Sequence, residues 1–193
     1  VITIGKGIPT RGCIEANAHA LARYAALAQE AGLVPIVEPE VLINGDHTIE
    51  RCYEVTEYTL RTVFAEIAVQ RVALEGMVLK PSMVISGLEC PQRADVQEVA
   101  QQTVRCLLDT VPASVPGVAF LSGGQSNEEA TAHLNAMHNL GVELPWALTF
   151  SYARALQQPA LETWKGDAAN VAAAQKALDH RDRKSTRLNS SHL

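Results

Sequence analysis

Short apolar runs alternate with longer amphipathic stretches along most of this chain. Residues 1–4 (Val-Ile-Thr-Ile) read as the end of a strand. Residues 14–31 are alanine-rich, with Leu21, Tyr24, Leu27 and Ala28 at helical spacing, and Gly32 supplies a stop. Residues 34–37 predict a second strand. Asp46 is positioned to cap a long helix over 48–69. A third strand covers 77–79, and 95–109 reads as a helix with Val96, Val99, Val104, Leu107 and Leu108 apolar. A strand over 117–121 follows. Ser126 and Glu129 then make a capping box for a helix that ends near Gly141. Residues 146–150 form the last apolar run. A short helix starts over 153–157, and Asp167 caps an alanine-rich helix reaching about residue 179.

Strands that alternate with helices predict right-handed crossovers and an α/β fold with a parallel sheet. The strands read as continuous apolar runs, as strands covered on both faces do. Polar residues gather just after them: Glu38, Lys80, Ser122 and Ser151. In a TIM (β/α)₈ barrel that end of the strands is the catalytic face. The expected fold is a partial TIM barrel, from the end of strand 4 to strand 8 with their helices. A doubly wound open sheet would carry a glycine fingerprint after its first strand, and none is visible.

Residues 181–193 break the pattern. They have no apolar period and resemble the translation of a sequencing-library adapter. They are expected to be a disordered tail foreign to the folded unit, which spans 1–180.

At 193 residues and 47 % hydrophobic, the chain suits one core. A net charge of -5 leaves no basic footprint for nucleic acid, and no apolar run approaches a membrane span. The chain opens without Met or a basic leader, so further residues are expected upstream. Cys13, Cys52, Cys90 and Cys106 lie far apart, as free thiols of a reducing compartment do. The histidines show no metal-ligand spacing. Trp146 and Trp164 read as packing residues.

Lys80 is the most informative residue. It sits in Val78-Leu79-Lys80-Pro81-Ser82-Met83-Val84, where a solvated ammonium is out of place without a task or a partner. Burial disfavours the charged amine, and a neutral lysine can form a Schiff base with a carbonyl. A lysine snorkelling from a strand end is the plain alternative. In Pro35-Ile36-Val37-Glu38-Pro39-Glu40 two carboxylates lie two positions apart, on one side of an extended chain. Such an acid suits Schiff-base chemistry, because carbinolamine loses water only when its hydroxyl is protonated. In Leu121-Ser122-Gly123-Gly124-Gln125-Ser126 a glycine pair precedes a capped helix and can cradle an anion with backbone N–H groups. In Thr149-Phe150-Ser151-Tyr152-Ala153-Arg154 the arginine offers a planar fork for phosphate oxygens.

Together these motifs, over residues 1–180, resemble the C-terminal portion of class I fructose-bisphosphate aldolase. The resemblance implies reversible cleavage of fructose 1,6-bisphosphate to dihydroxyacetone phosphate and glyceraldehyde 3-phosphate. It implies Lys80 as the Schiff-base lysine, Glu38 as principal acid/base and Glu40 as its neighbour. It implies phosphate contacts from Ser122, Gly123, Ala153 and Arg154, with Ser151 lining the pocket. Neither a metal nor a cofactor is implied. A sugar phosphate is the implied substrate, neither nucleic acid nor membrane is a partner, and the full-length form is a homotetramer. The implied location is cytoplasmic, or plastid in a photosynthetic eukaryote. The family often has glycine where Ala153 stands. Its early catalytic residues and terminal tyrosine are not found here, so these residues alone are expected to be inactive. Another lysine Schiff-base barrel (a transaldolase or deoxyribose-phosphate aldolase) and a non-catalytic scaffold remain as alternatives.

Overall fold

The computed structural model describes residues 1–190. Four strands, β1 (Ile36–Val37), β2 (Val78–Leu79), β3 (Gly117–Phe120) and β4 (Ala147–Phe150), form one sheet in the order β1-β2-β3-β4, parallel throughout. Residue Ile2 adds a parallel bridge to Val41, so 1–4 lies beside the chain leaving β1. Six helices accompany them: α1 (Arg11–Glu30), α2 (Ile49–Val69), α3 (Val96–Thr110), α4 (Asn127–His138), α5 (Arg154–Trp164) and α6 (Val171–Ser190). A helix follows each strand, and neighbours in sequence are neighbours in space. That is the topology of an arc of a β/α barrel. A doubly wound sheet would reverse its order.

Helices cover one face of the sheet. Register puts Val37, Leu79, Val118 and Leu148 in one row, and all four are buried beneath them. Burying each such side chain stabilises the fold by roughly 1.5–3 kcal/mol. The other face is open at β1 and β4, where Ile36, Ala147 and Thr149 are exposed, whereas Val118, Ala119 and Phe120 of β3 are all buried, as the apolar run predicted. From 34 to 40 burial alternates: Val34, Ile36 and Glu38 are exposed and Glu40 is intermediate, while Pro35, Val37 and Pro39 are buried. Burial on both faces, expected from the apolar runs, is therefore not found in these residues. The open face is the one that carries Glu38.

Local signals explain most helix ends. Asp95 caps α3 by accepting from the Glu98 N–H, and Ser126 and Glu129 make the reciprocal capping box of α4. Thr48, not Asp46, caps α2: its hydroxyl accepts from the Arg51 N–H at 3.3 Å. Thr10 caps α1, whose first residue, Arg11, lies three residues before the predicted start. The buried face of α1 is Ile14, Ala18, Ala22 and Ala25, whereas Tyr24 and Leu27 are exposed. Small alanine side chains let α1 lie close to its neighbours, which the periodicity of its larger residues concealed. α5 starts at Arg154, within the predicted 153–157, and runs through Pro159 to Trp164, and Trp164 is exposed rather than packed.

α6 continues to Ser190, into the segment predicted to be a disordered tail. Arg183 pairs with Asp179 one turn back at 3.0 Å, and Arg181 is buried with Nη2 3.4 Å from the Asn127 carbonyl. An i,i+4 ion pair and straight-chain basic residues sustain a helix without an apolar stripe. The rest of that predicted tail, 191–193, lies outside the described residues.

Candidate functional site

Sheet pairing brings Glu38 and Lys80 together. The Lys80 N–H donates to the Val37 carbonyl at 2.7 Å, which sets the end of β2 beside the end of β1. Both side chains then leave on the open face, and Lys80 Nζ stands 3.1 Å from Glu38 Oε1. The lysine side chain is 18 % exposed and the glutamate 43 %. Glu40 is two residues on, half-buried, and its carbonyl accepts from the Ile2 N–H at 2.8 Å.

Ser82 locks this register, a role its sequence context did not disclose. Its buried hydroxyl accepts from the Val41 N–H at 2.9 Å and donates to the Val41 carbonyl at 3.0 Å. The segment after Glu38 is thereby tied to the segment after Lys80. The signal was a serine inside an otherwise apolar run.

The next two strands deliver the glycine turn and the arginine. The Leu121 N–H donates to the Pro81 carbonyl at 3.2 Å, so the turn at 122–125 begins beside the residue after Lys80. Gly123 has φ +59 and Gly124 φ +97, conformations that L side chains rarely adopt. A Cβ on Gly124 would lie 3.3 Å from Ile43 Cγ2 and 3.9 Å from Arg154 Nη2. Arg154 therefore overhangs the turn. It is exposed and opens α5, preceded by Ala153 at φ -89, a value alanine takes without strain. Ser122 is buried, and Ser151 is half-buried, its N–H donating to the Phe120 carbonyl at 2.8 Å.

Every predicted site residue thus lies at or just beyond the C-terminal end of its strand. Two groupings result: Glu38 with Lys80, and Ser122, Gly123 and Gly124 with Arg154. Three supports escaped sequence reasoning besides Ser82. Tyr152 is buried and donates to the Ala130 carbonyl at 2.8 Å, anchoring the arginine loop to α4. Gln125 and His133 are buried together beneath the glycine turn. Burial pushes the Tyr152 phenol well above its usual range and pulls His133 below its own. Glu129 is held below the carboxylate range by the Ser126 N–H and by Arg93, whose Nη1 is 3.2 Å away.

Among the described residues no group of three or more His, Cys, Asp or Glu side chains is placed to hold a metal ion. Nor is any helix among them long and apolar enough to cross a membrane. Cys13 is exposed, while Cys52, Cys90 and Cys106 are buried; all four are free. Burial pushes the Cys106 thiol up to about 12.

Sequential parallel strands, a helix after each, and polar side chains at the strand ends define an arc of a β/α barrel. The family model described as "Fructose-bisphosphate aldolase class-I" matches residues 1–191. The chain belongs to that family. A "Probable fructose-bisphosphate aldolase class 1" of Xanthomonas campestris is 62 % identical over 182 residues, which are 94 % of this chain and 54 % of that protein. Fructose-bisphosphate aldolase of Dictyostelium discoideum is 53 % identical over 93 % of this chain and 50 % of its own length. A crystal structure of the Plasmodium falciparum enzyme, in complex with TRAP and a small-molecule inhibitor, superposes with a TM-score of 0.95 at 47 % identity. It covers 99 % of this chain and 55 % of that one. The chain spans about half the length of the curated relatives it matches, and the fold is part of a TIM barrel.

Proposed function

We propose that the full-length polypeptide containing these residues is a fructose-bisphosphate aldolase working through a Schiff base on Lys80. The observation that carries the reading is the 3.1 Å contact between Lys80 Nζ and Glu38 Oε1 on the open face of adjacent strands. A proton passed from the ammonium to Glu38 leaves a neutral amine and a protonated acid side by side. The amine attacks the ketone carbon of the open-chain sugar to give a carbinolamine. Glu38 protonates the departing hydroxyl, water leaves, and an iminium forms. The carbon–carbon bond then breaks, with its electron pair drawn into the iminium. The hydroxyl on the departing half gives up its proton to the carboxylate, and glyceraldehyde 3-phosphate leaves. Protonation of the enamine and hydrolysis release dihydroxyacetone phosphate and restore the amine. Glu40 is the neighbouring carboxylate that supports Glu38.

Ser122, Gly123, Ala153 and Arg154 bind a substrate phosphate, and Ser151 lines the pocket between them and the lysine. Support comes from Arg154, whose Nη2 stands 3.9 Å from where a Gly124 Cβ would be. The full-length enzyme is cytoplasmic, in keeping with four free thiols, and a homo-oligomer. Residues 181–193 are foreign to it, which genomic sequence downstream of residue 180 checks. The test of function is a bisphosphate-cleavage assay on the full-length enzyme with and without EDTA. Undiminished turnover in EDTA is expected. Loss of activity in EDTA, or cleavage of sugar monophosphates but not the bisphosphate, overturns the reading.

A further inference from the structure

A buried polar chain beneath the glycine turn has no part in the chemistry above. The Ser122 carbonyl accepts twice from Gln125, from its backbone N–H at 3.0 Å and from its Nε2 at 3.1 Å. Gln125 Oε1 lies 2.6 Å from His133 Nδ1, on the inner side of α4. Reversing the amide would set its oxygen against the Ser122 carbonyl oxygen, so its orientation is determined. An amide oxygen only accepts, so His133 carries its hydrogen on Nδ1. Burial favours the neutral ring, against the opposing pull of Glu129 and with Arg93 adding to the effect.

The peptide unit between Ser122 and Gly123 is trans. In a trans unit the carbonyl and the N–H point in opposite directions from one plane. Holding the Ser122 carbonyl inward against Gln125 therefore turns the Gly123 N–H outward, away from Gln125. We infer that Gln125 and His133 are a positioning pair that aims the Gly123 N–H at the substrate phosphate. His133 orients the Gln125 amide, and the amide holds the peptide plane. This rests on the phosphate-binding reading of Ser122, Gly123 and Arg154. The β3 turn adjoins the Lys80 strand, so the phosphate concerned is the one on the ketone half of the substrate.

The test uses the full-length enzyme and compares dihydroxyacetone phosphate with unphosphorylated dihydroxyacetone. Borohydride reduces each iminium to a stable secondary amine, and the half-saturating concentration is read for each ketone. Gln125→Leu removes the side-chain contacts to the Ser122 carbonyl and His133, and with them the Nε2 contact to Met83 Sδ at 3.6 Å. It is expected to shift the preference for the phosphorylated ketone by about tenfold, and His133→Leu by about threefold to tenfold. His133→Asn puts an N–H donor where Nδ1 stood and is expected to restore the preference. A role in stability alone would weaken trapping by both ketones and leave their ratio unchanged. If Arg154→Ala collapses the ratio while Gln125→Leu and His133→Leu do not, the positioning role is overturned and the phosphate site stands. If Arg154→Ala also leaves the ratio unchanged, the phosphate reading falls and takes this inference with it. Should Gln125→Leu not fold, the contrast between His133→Leu and His133→Asn decides.

Discussion

Gly124→Ala tests the glycine turn where an added side chain would press on the core. Gly124 has φ +97, and an alanine held there stores about 1–3 kcal/mol of backbone strain. Its Cβ would also lie 3.3 Å from Ile43 Cγ2, so Ile43 or the turn must yield by a few tenths of an ångström. Ile43 is buried in the core. The turn is the softer partner, and its movement carries the backbone N–H groups away from the phosphate. Strain alone predicts a fall in Tm of about 1–4 °C in the full-length enzyme, which is about twice the length of this chain. Losing one charge-assisted contact raises KM for the bisphosphate by about tenfold to a hundredfold. Gly141→Ala is the control, since Gly141 also has positive φ (+69) but a Cβ there would meet nothing within 4 Å. It lies in the connection entering β4, away from the strand ends that carry the site. Melting curves and steady-state kinetics on both variants decide. Both are expected to melt lower, and only Gly124→Ala to raise KM. Equal KM values for the two variants would refute the reasoning.

Three further outcomes follow from the same geometry. Glu38→Gln retains a hydrogen-bonding side chain beside Lys80 but cannot exchange protons, so kcat is expected to fall by about 10²–10⁴-fold with little change in Tm; an unchanged kcat would remove Glu38 from the chemistry. Residues 1–180 expressed alone expose Val34 and Ile36 on the open sheet face and leave β4 with one paired neighbour among the described residues; aggregation or a loose, inactive state is expected, and a cooperative melt with measurable cleavage would contradict it. Burial lowers the pKa of His47 and His133 in the folded state, so as pH falls the unfolded chain takes up protons first, and stability is lost from about pH 6.5 downward until the folded values are passed; Tm measured from pH 8 to 5 should show this slope, and His47→Gln should flatten it.

Much of the fold was legible because parallel strands announce themselves as apolar runs and capped helices by side-chain type. The Ser126–Glu129 box marked its helix correctly. Asp46 misled because two acceptors lie two residues apart, and backbone dihedrals choose Thr48. The buried face of α1 was hidden because alanine carries little periodic signal beside Tyr24 and Leu27. At the site, Glu38, Lys80 and Arg154 stood out by charge in apolar surroundings. Ser82, Gln125, His133 and Tyr152 did not, because each acts through a partner 8 to 41 residues away. Pairings at such separations exist only once strand register is set.

The central claim is that Lys80 is the amine that takes the ketone. The direct measurement is borohydride reduction of the full-length enzyme with dihydroxyacetone phosphate, followed by peptide mass spectrometry. A single adduct on the peptide containing Lys80 is predicted, with parallel loss of cleavage activity. An adduct confined to another lysine, or undiminished activity after complete reduction, would contradict the account.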